Sequence, residues 1–207
     1  AHDHPGYSGT TLVTDGIIGQ GCFDAMEPAS PHRPHRDWGN NDYRLSTLRQ
    51  WLNAEDQIWF SPSHVADAPP VPEYCWDGDS PYAGRAGFLY PFSPTFRQAI
   101  QTVSVKTACR KGRLETDSAR VFLLSRTEVG LGDESGCAEG RPLPLFSDFR
   151  FRLAAPAPEA FAAATYTPFA FASGRPWCWW LRTPYVTRMC RARLVYSDGM
   201  LTSNYTA

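Results

Sequence analysis

Residues capable of chemistry are scattered along this chain rather than gathered. Asp15, Asp24 and Glu27 lie near one another in sequence, but spacing alone makes no general acid/base pair of them. His2 and His4 flank Asp3, and His32 and His35 sit in a Pro-rich stretch; neither pair has a third metal ligand nearby. His64 and Asp67 can face one another across a turn, which reads as a loop hydrogen bond before it reads as a catalytic dyad. Cys190 is surrounded by Arg188, Arg191 and Arg193, whose charge favours a thiolate. No general base accompanies it, so a nucleophile role is not assigned. There is no Gly-x-Ser-x-Gly, no phosphate-cradling Gly-rich loop with Lys and no His-Glu-x-x-His. No catalytic residue, metal ligand or cofactor is therefore expected.

Residue types suited to binding are concentrated instead. Tyr185, Arg188, Met189, Arg191, Tyr196, Met200 and Tyr205 crowd the C-terminal end, and Tyr, Arg and Met are the types enriched at interfaces. The competing reading is that several of them simply pack. The run Trp177-Cys178-Trp179-Trp180-Leu181-Arg182-Thr183-Pro184 just before them is dense in aromatic mass and reads as core.

The elements that hold these residues must come from one domain of 207 residues, 43% of them apolar. With 16 Gly and 18 Pro, much of the chain is turn or loop. A formal net charge of −1 gives no basic face for nucleic acid. No apolar run approaches the ~20 residues of a membrane helix, and no signal-peptide pattern opens the chain. The 6 cysteines lack the close spacing of a zinc knuckle and read as buried free thiols; a Cys178–Cys190 disulfide is the sharper alternative.

Ser46 caps the clearest helix, with Leu48, Trp51 and Leu52 on its apolar face. Ser93-Pro94 starts a second, burying Phe96, Ala99 and Ile100. Strands are expected over residues 11–18, broken at Asp15-Gly16, over 102–107 and over 121–124. Ser125-x-x-Glu128 is a capping box. A short Ala-rich helix is expected over 159–164. Residues 27–41 read as loop, 61–87 and 130–147 as long irregular loops, and 165–176 as extended. Asp198-Gly199 predicts a two-residue hairpin turn pairing about 191–197 with 200–206. Alternation then puts Arg191, Arg193, Val195, Thr202 and Asn204 on one face. Ala192, Leu194, Tyr196, Leu201 and Tyr205 fall on the other, and periodicity turns that second face inward.

The stretch Gly39-Asn40-Asn41-Asp42-Tyr43-Arg44-Leu45-Ser46-Thr47-Leu48-Arg49-Gln50-Trp51-Leu52-Asn53 resembles the motif of a domain family of unknown function common in gut bacteria and their phages. Phe23-Asp24-Ala25 with Glu27-Pro28, Asp67-Ala68-x-Pro70, Gly87-Phe88-Leu89, Val121-Phe122-Leu123-Leu124-Ser125 with Thr127-Glu128-Val129-Gly130, Glu139-Gly140 and Trp180-Leu181-Arg182-Thr183-Pro184 follow in the same order. The likeness runs from about residue 10 to the end.

The resemblance implies an α+β, C-type-lectin-like fold spanning residues 1–207 as a single domain. Two helices would pack on small antiparallel sheets, with 61–87 and 130–176 as long insertions. It also implies similarity to the variable proteins of diversity-generating retroelements, in which an error-prone reverse transcriptase rewrites adenines near the 3′ end of a gene. Trp179-Trp180-Leu181-Arg182 would then be scaffold and 185–207 a hypervariable ligand-binding region. Its expected contact residues are Tyr185, Thr187, Arg188, Met189, Arg191, Leu194, Tyr196, Asp198, Thr202, Asn204 and Tyr205. The family keeps the types at Arg193, Val195, Gly199 and Leu201, which turns Leu194 and Tyr196 outward, against the periodicity; a bulge would reconcile the two. A further closing strand of Gly-Val-Arg-Pro-Ala type is implied beyond Ala207, where this sequence stops; pairing of the two ends is thus left open.

The implied role is receptor recognition by a protein on a phage tail or bacterial surface. Its partner would be a protein or surface-glycan target on a host or neighbouring cell, with a homo-oligomer left open. Neither nucleic-acid binding nor membrane insertion is expected. No Glu-Pro-Asn or Gln-Pro-Asp sugar motif is present, so calcium-dependent sugar recognition is not expected. The enzymatic rival is a formylglycine-generating-type oxidase, which needs two cysteines close together near the C-terminal end; Cys178 and Cys190 match poorly. The third class is a structural virion or assembly module.

Overall fold

Three strands near the C-terminus, β5 (Trp179–Pro184), β6 (Arg191–Val195) and β7 (Leu201–Tyr205), form the antiparallel sheet on which the rest is built, in the order β5-β6-β7. The computed structural model describes residues 2–3, 8–109, 112–158, 160 and 174–207. Both faces of this sheet are covered. Trp180 and Ala192 pack with Phe23, Tyr43, Leu48 and Leu52 on one side. Val195, Leu181, Leu201 and Trp179 pack with Val129, Leu143 and Phe146 on the other. A third cluster joins Cys22, Trp59, Cys75 and Tyr82, with the Trp59 and Tyr82 rings stacked at 5.7 Å.

The architecture is mixed α+β with small antiparallel sheets. β1 (His2–Asp3) pairs with β2 (Thr10–Thr11), and β3 (Val103–Cys109) with β4 (Arg113–Ala119). Three short helices appear among the described residues, one of them in a stretch not expected to be helical. α1 (Arg33–Trp38) occupies the stretch read as loop; Pro34 at its start is pre-set for a helix and gives up no needed N–H. α2 (Thr47–Asn53) is capped as expected, the Ser46 hydroxyl accepting from Arg49 N at 3.2 Å. α3 (Pro94–Ala99) has its Ser93 cap, but its expected buried face is not buried. Phe96 is 41% exposed and rests on Phe92, their centroids 5.0 Å apart.

Residues 121–124 are half-buried and extended but pair with no strand. Beyond one main-chain bond, Arg182 N to Leu124 O at 3.0 Å, side chains take the place of a ladder: Asn53 bonds the amides of Arg120 and Val121 and the carbonyl of Val121, and the Tyr43 hydroxyl accepts from Leu123 N at 3.1 Å. Of the strand expected at 11–18, only Thr11 within β2 and a bridge from Ile17 to Pro156 form. Ser125 and Glu128 make both bonds of the capping box, Ser125 N to Glu128 Oε2 at 2.8 Å and Glu128 N to Ser125 Oγ at 3.2 Å. The helix expected at 159–164 lies outside the described residues apart from Ala160. His4 and most of 165–176 lie outside them too. The 61–87 stretch is irregular, with two 3-10 turns at Pro72–Tyr74 and Trp76–Gly78.

The final hairpin corrects the expected register. Tyr196 N donates to Met200 O at 2.8 Å and Gly199 N to Tyr196 O at 2.9 Å, so the loop has three residues, 197–199, rather than two. Gly199 adopts φ 80°, the left-handed conformation such loops need at their last position. One added loop residue shifts β7 by one and turns each of its side chains over. Leu194 therefore faces Thr202 and Ala192 faces Asn204, while Arg191 faces Tyr205 and Val195 faces Leu201. The β6–β7 ladder itself runs without a bulge. The irregularity is in β5, which advances four residues from Trp180 to Pro184 while β6 covers the two from Leu194 to Ala192.

Candidate functional site

The bulged part of β5 sets the rigid side of the site. Arg182 is 1% exposed and its guanidinium is saturated. It donates to Glu128 Oε2 at 2.6 Å and Oε1 at 2.7 Å, to the carbonyls of Lys106 and Leu123 at 2.8 Å each, and to Glu139 O at 2.7 Å. Burial alone would favour losing the proton; the Glu128 carboxylate outweighs it and raises the Arg182 pKa. Glu139 is buried beside this pair, accepting from Ala108 N at 2.8 Å and bonded to the Thr183 hydroxyl. Desolvation pushes its carboxyl up to about 7, against the pull of Arg182 and Thr183.

The loop 185–190 leaves this base and returns to β6. Its shape is fixed by main-chain groups. Tyr185 N donates to Arg191 O at 2.8 Å and Arg188 N to Tyr185 O at 2.8 Å. Asn41, 6% exposed, sits inside the bend. Its Nδ2 donates to Arg188 O at 2.6 Å and Arg191 O at 2.8 Å and approaches Tyr185 O at 3.3 Å; its own N–H reaches Met189 O at 3.3 Å. Asn41 is placed in turn by Asp24, whose carboxylate takes the amides of Asn40 and Thr47 at 2.9 Å each. Gly39 turns beneath with φ 73°, where a Cβ would lie 2.8 Å from Asp24 O. From the opposite side, buried Glu134 takes Arg193 at 2.7 and 2.9 Å and Arg126 at 2.9 Å, and lies 3.4 Å from Val186 N. No side chain from 187 to 189 takes part in these bonds.

The expected contact residues fall into three groups. Thr187, Arg188, Asp198 and Asn204 are exposed, and Tyr196 is 51% exposed. Tyr185, Met189, Arg191, Thr202 and Tyr205 are half-buried. Tyr185 lies under the Arg193 guanidinium at 4.0 Å. Arg191 covers Tyr205 at 4.1 Å, and Tyr205 stacks on Trp38, also at 4.1 Å. Leu194 is the correction: at 5% exposure it is core, because β6 is the central strand and both its faces are covered. Periodicity had placed Leu194 rightly and Tyr196 wrongly; Tyr196 is outside because the strand ends at Val195. Val195 and Gly199 are buried, and Arg193 and Leu201 half-buried, in packed positions.

Met189 and Val186 also form one wall of a cleft of about 300 Å³ whose other walls are Asn41, Asp42, Arg44, Arg113 and Glu115. Arg44 bridges Asp42 and Glu115 there, so the cleft is polar and its charges are paired.

Residues 8–207 match the family described as a domain of unknown function, DUF6273. The chain belongs to that family. No curated protein and no solved structure shows significant similarity to it.

In this DUF6273 domain the chemically capable residues named from the sequence fall in separate places. Asp24 is structural, and burial raises its pKa well above the ordinary value despite two amide bonds. The expected lowering at Cys190 is reversed: burial outweighs Arg191 and Arg188 and pushes the thiol up. All 6 cysteines are free thiols, Cys178 and Cys190 included. The unforeseen pair is Cys22 and Cys75, with sulfurs 3.6 Å apart. His32 and His35 meet edge to face at 5.3 Å, and His35 bonds Glu27 at 3.1 Å. His64 does face Asp67, Nε2 to Oδ1 at 2.9 Å.

Sequence reasoning missed the clamping roles of Asn41 and Glu134. Asn41 had a signal, the Gly39-Asn40-Asn41 run ahead of a capped helix, but its partners lie 144 to 150 residues away. Glu134 sits in a loop with no pattern around it. Among the described residues no helix is long and apolar enough to cross a membrane.

Proposed function

We propose that this protein is a non-enzymatic ligand-binding domain with a C-type-lectin-like fold, presenting variable side chains from a fixed backbone. The observation that carries the reading is the clamp on loop 185–190. Asn41 and Glu134 hold the bend through carbonyls, an amide and Arg193, so the side chains of Thr187, Arg188 and Met189 are exchangeable without disturbing its shape. Recognition is then by a preorganised surface, which limits the ordering cost on binding. The surface comprises Thr187, Arg188 and Met189 with the half-buried Tyr185 and Arg191. It continues over Tyr196, Asp198, Thr202, Asn204 and Tyr205 on the hairpin. Display on a phage tail or a bacterial surface, against a protein or glycan target, fits such a surface, and repeated copies would add avidity. Diversification by a retroelement is part of the same proposal.

Two tests apply. A near-copy of the 3′ end of the gene, lying beside a reverse-transcriptase gene and differing at adenines, supports the variable class; its absence argues for a fixed-specificity binder. An array of surface proteins and glycans probed with the wild type and with an Arg188→Ala/Tyr196→Ala variant tests the surface itself. Binding lost at unchanged melting temperature supports the assignment, and binding unaffected by the double change removes it.

A further inference from the structure

Behind the loop that begins at residue 61, three polar atoms from two separate stretches of chain converge. Glu27 Oε1, His64 Nε2 and Asp67 Oδ1 all lie within 4.8 Å of one another. His64 Nε2 is 2.9 Å from Asp67 Oδ1 and 3.5 Å from Glu27 Oε1. Such distances suit hydrogen bonds, yet all three atoms are buried and none has a hydrogen-bond partner. The reason is the ring. Ala66 N donates to His64 Nδ1 at 3.3 Å, so the ring proton is on Nε2, out of line with both carboxylates. Glu27 is only 2% exposed, so its Oε1 is a deeply buried acceptor aimed into the cluster with nothing to accept. An unpaired buried acceptor of this kind is costly, and more so when charged.

The remaining oxygens explain how the cluster is held. Glu27 Oε2 bonds His35 Nδ1 at 3.1 Å. Asp67 Oδ2 accepts from the Ser63 hydroxyl at 2.7 Å and from the amides of Ser63 and His64. Each carboxylate is thus oriented by one oxygen and turns the other inward, as metal-ligating carboxylates with supporting hydrogen bonds do.

We propose that Glu27, His64 and Asp67 bind a divalent cation of the zinc class. Two ligands at ~2.1 Å from a tetrahedral ion lie ~3.4 Å apart; His64 Nε2 is 3.5 Å from Glu27 Oε1 and 2.9 Å from Asp67 Oδ1. One imidazole with two carboxylates suits zinc better than calcium, which takes six to eight oxygens. Three protein ligands leave one position for water. On binding, the ring proton moves from Nε2 to Nδ1 and the Ala66 contact is released, with no net loss of protons. The ion would clasp the 61–87 loop to the Glu27 segment and, through His35, to α1.

Cobalt(II) titration of chelator-treated protein tests this, because cobalt reports its ligands by colour and the chain carries thiols elsewhere. One equivalent is expected to give d–d bands without the intense thiolate-to-cobalt band. Zinc is expected to displace it and to raise the melting temperature. Glu27→Gln and His64→Gln should each weaken binding at least ~10-fold. His64 is partly exposed, so His64→Gln decides the matter if Glu27→Gln does not fold. No stoichiometric binding, a thiolate band, or equal affinity in His64→Gln would overturn the site.

Discussion

At the scale of single residues, the Arg182–Glu128 pair shows how a buried charge becomes scaffold. Every guanidinium donor has a partner, two of them on Glu128 and three on carbonyls from separate segments. Removing one partner leaves the other charge buried alone, so Glu128→Ala is expected to destabilise the fold by about 3–5 kcal/mol in chemical denaturation. Glu139 adds a pH dependence. Its carboxyl titrates at about 7 in the folded chain, above its unfolded value of 4.5, so the folded state holds the proton more tightly. Its contribution is complete below the unfolded value and is lost as pH rises through about 7. Stability should therefore fall between about pH 5 and pH 8. Glu139→Gln, which keeps the protonated form's donor and acceptor, should flatten this slope in melting curves taken across that range. An unchanged slope would place the titration elsewhere.

At the scale of elements, the local signals were the legible ones. The Ser46 and Ser93 caps and the Ser125-x-x-Glu128 box depend on neighbours within four residues, and all three formed as the sequence indicated. What sequence could not show was which long-range partner satisfies a backbone. Residues 121–124 read as a strand, but Asn53, Tyr43 and Arg182 replace the neighbouring strand, and their placement depends on the whole fold. The hairpin failed for a smaller reason. Asp198-Gly199 does mark the turn, but Gly199 closes a three-residue loop, and one residue of slip reverses the faces of β7. The corrected register makes a prediction: Leu194→Ala should cost about 2–5 kcal/mol, whereas Asn204→Ala, on the same face but exposed, should change stability by under ~0.5 kcal/mol. Asn41 tests the clamp. Asn41→Ala removes Nδ2 from the carbonyls of Tyr185, Arg188 and Arg191, which keep only their main-chain donors, so about 1 kcal/mol should be lost and hydrogen exchange at Arg188 and Arg191 should speed up.

Over the whole molecule, packed and exposed positions divide along the connections of the C-terminal sheet. Two cores cover β5–β7, and the C-terminus is tied in by Asp24 N to Thr206 O at 2.9 Å and Ala207 N to Trp38 O at 2.8 Å. What remains outside is a loop, a hairpin tip and part of one edge strand. The mixed α+β class was implied by the family resemblance, while caps and turn residues marked individual elements. The exposed C-terminal positions were legible only in outline, since separating Tyr196 from Leu194 needed the end of β6 and the coverage of both its faces. The measurement that tests the account most directly is a saturation scan read out by protease resistance, so that folding alone is scored. Positions 187, 188, 196, 198 and 204 should accept nearly any residue, while 41, 128, 134, 182, 194 and 195 should reject most. Intolerance at 187 and 188 comparable to that at 41 and 182 would contradict a fixed backbone bearing free side chains.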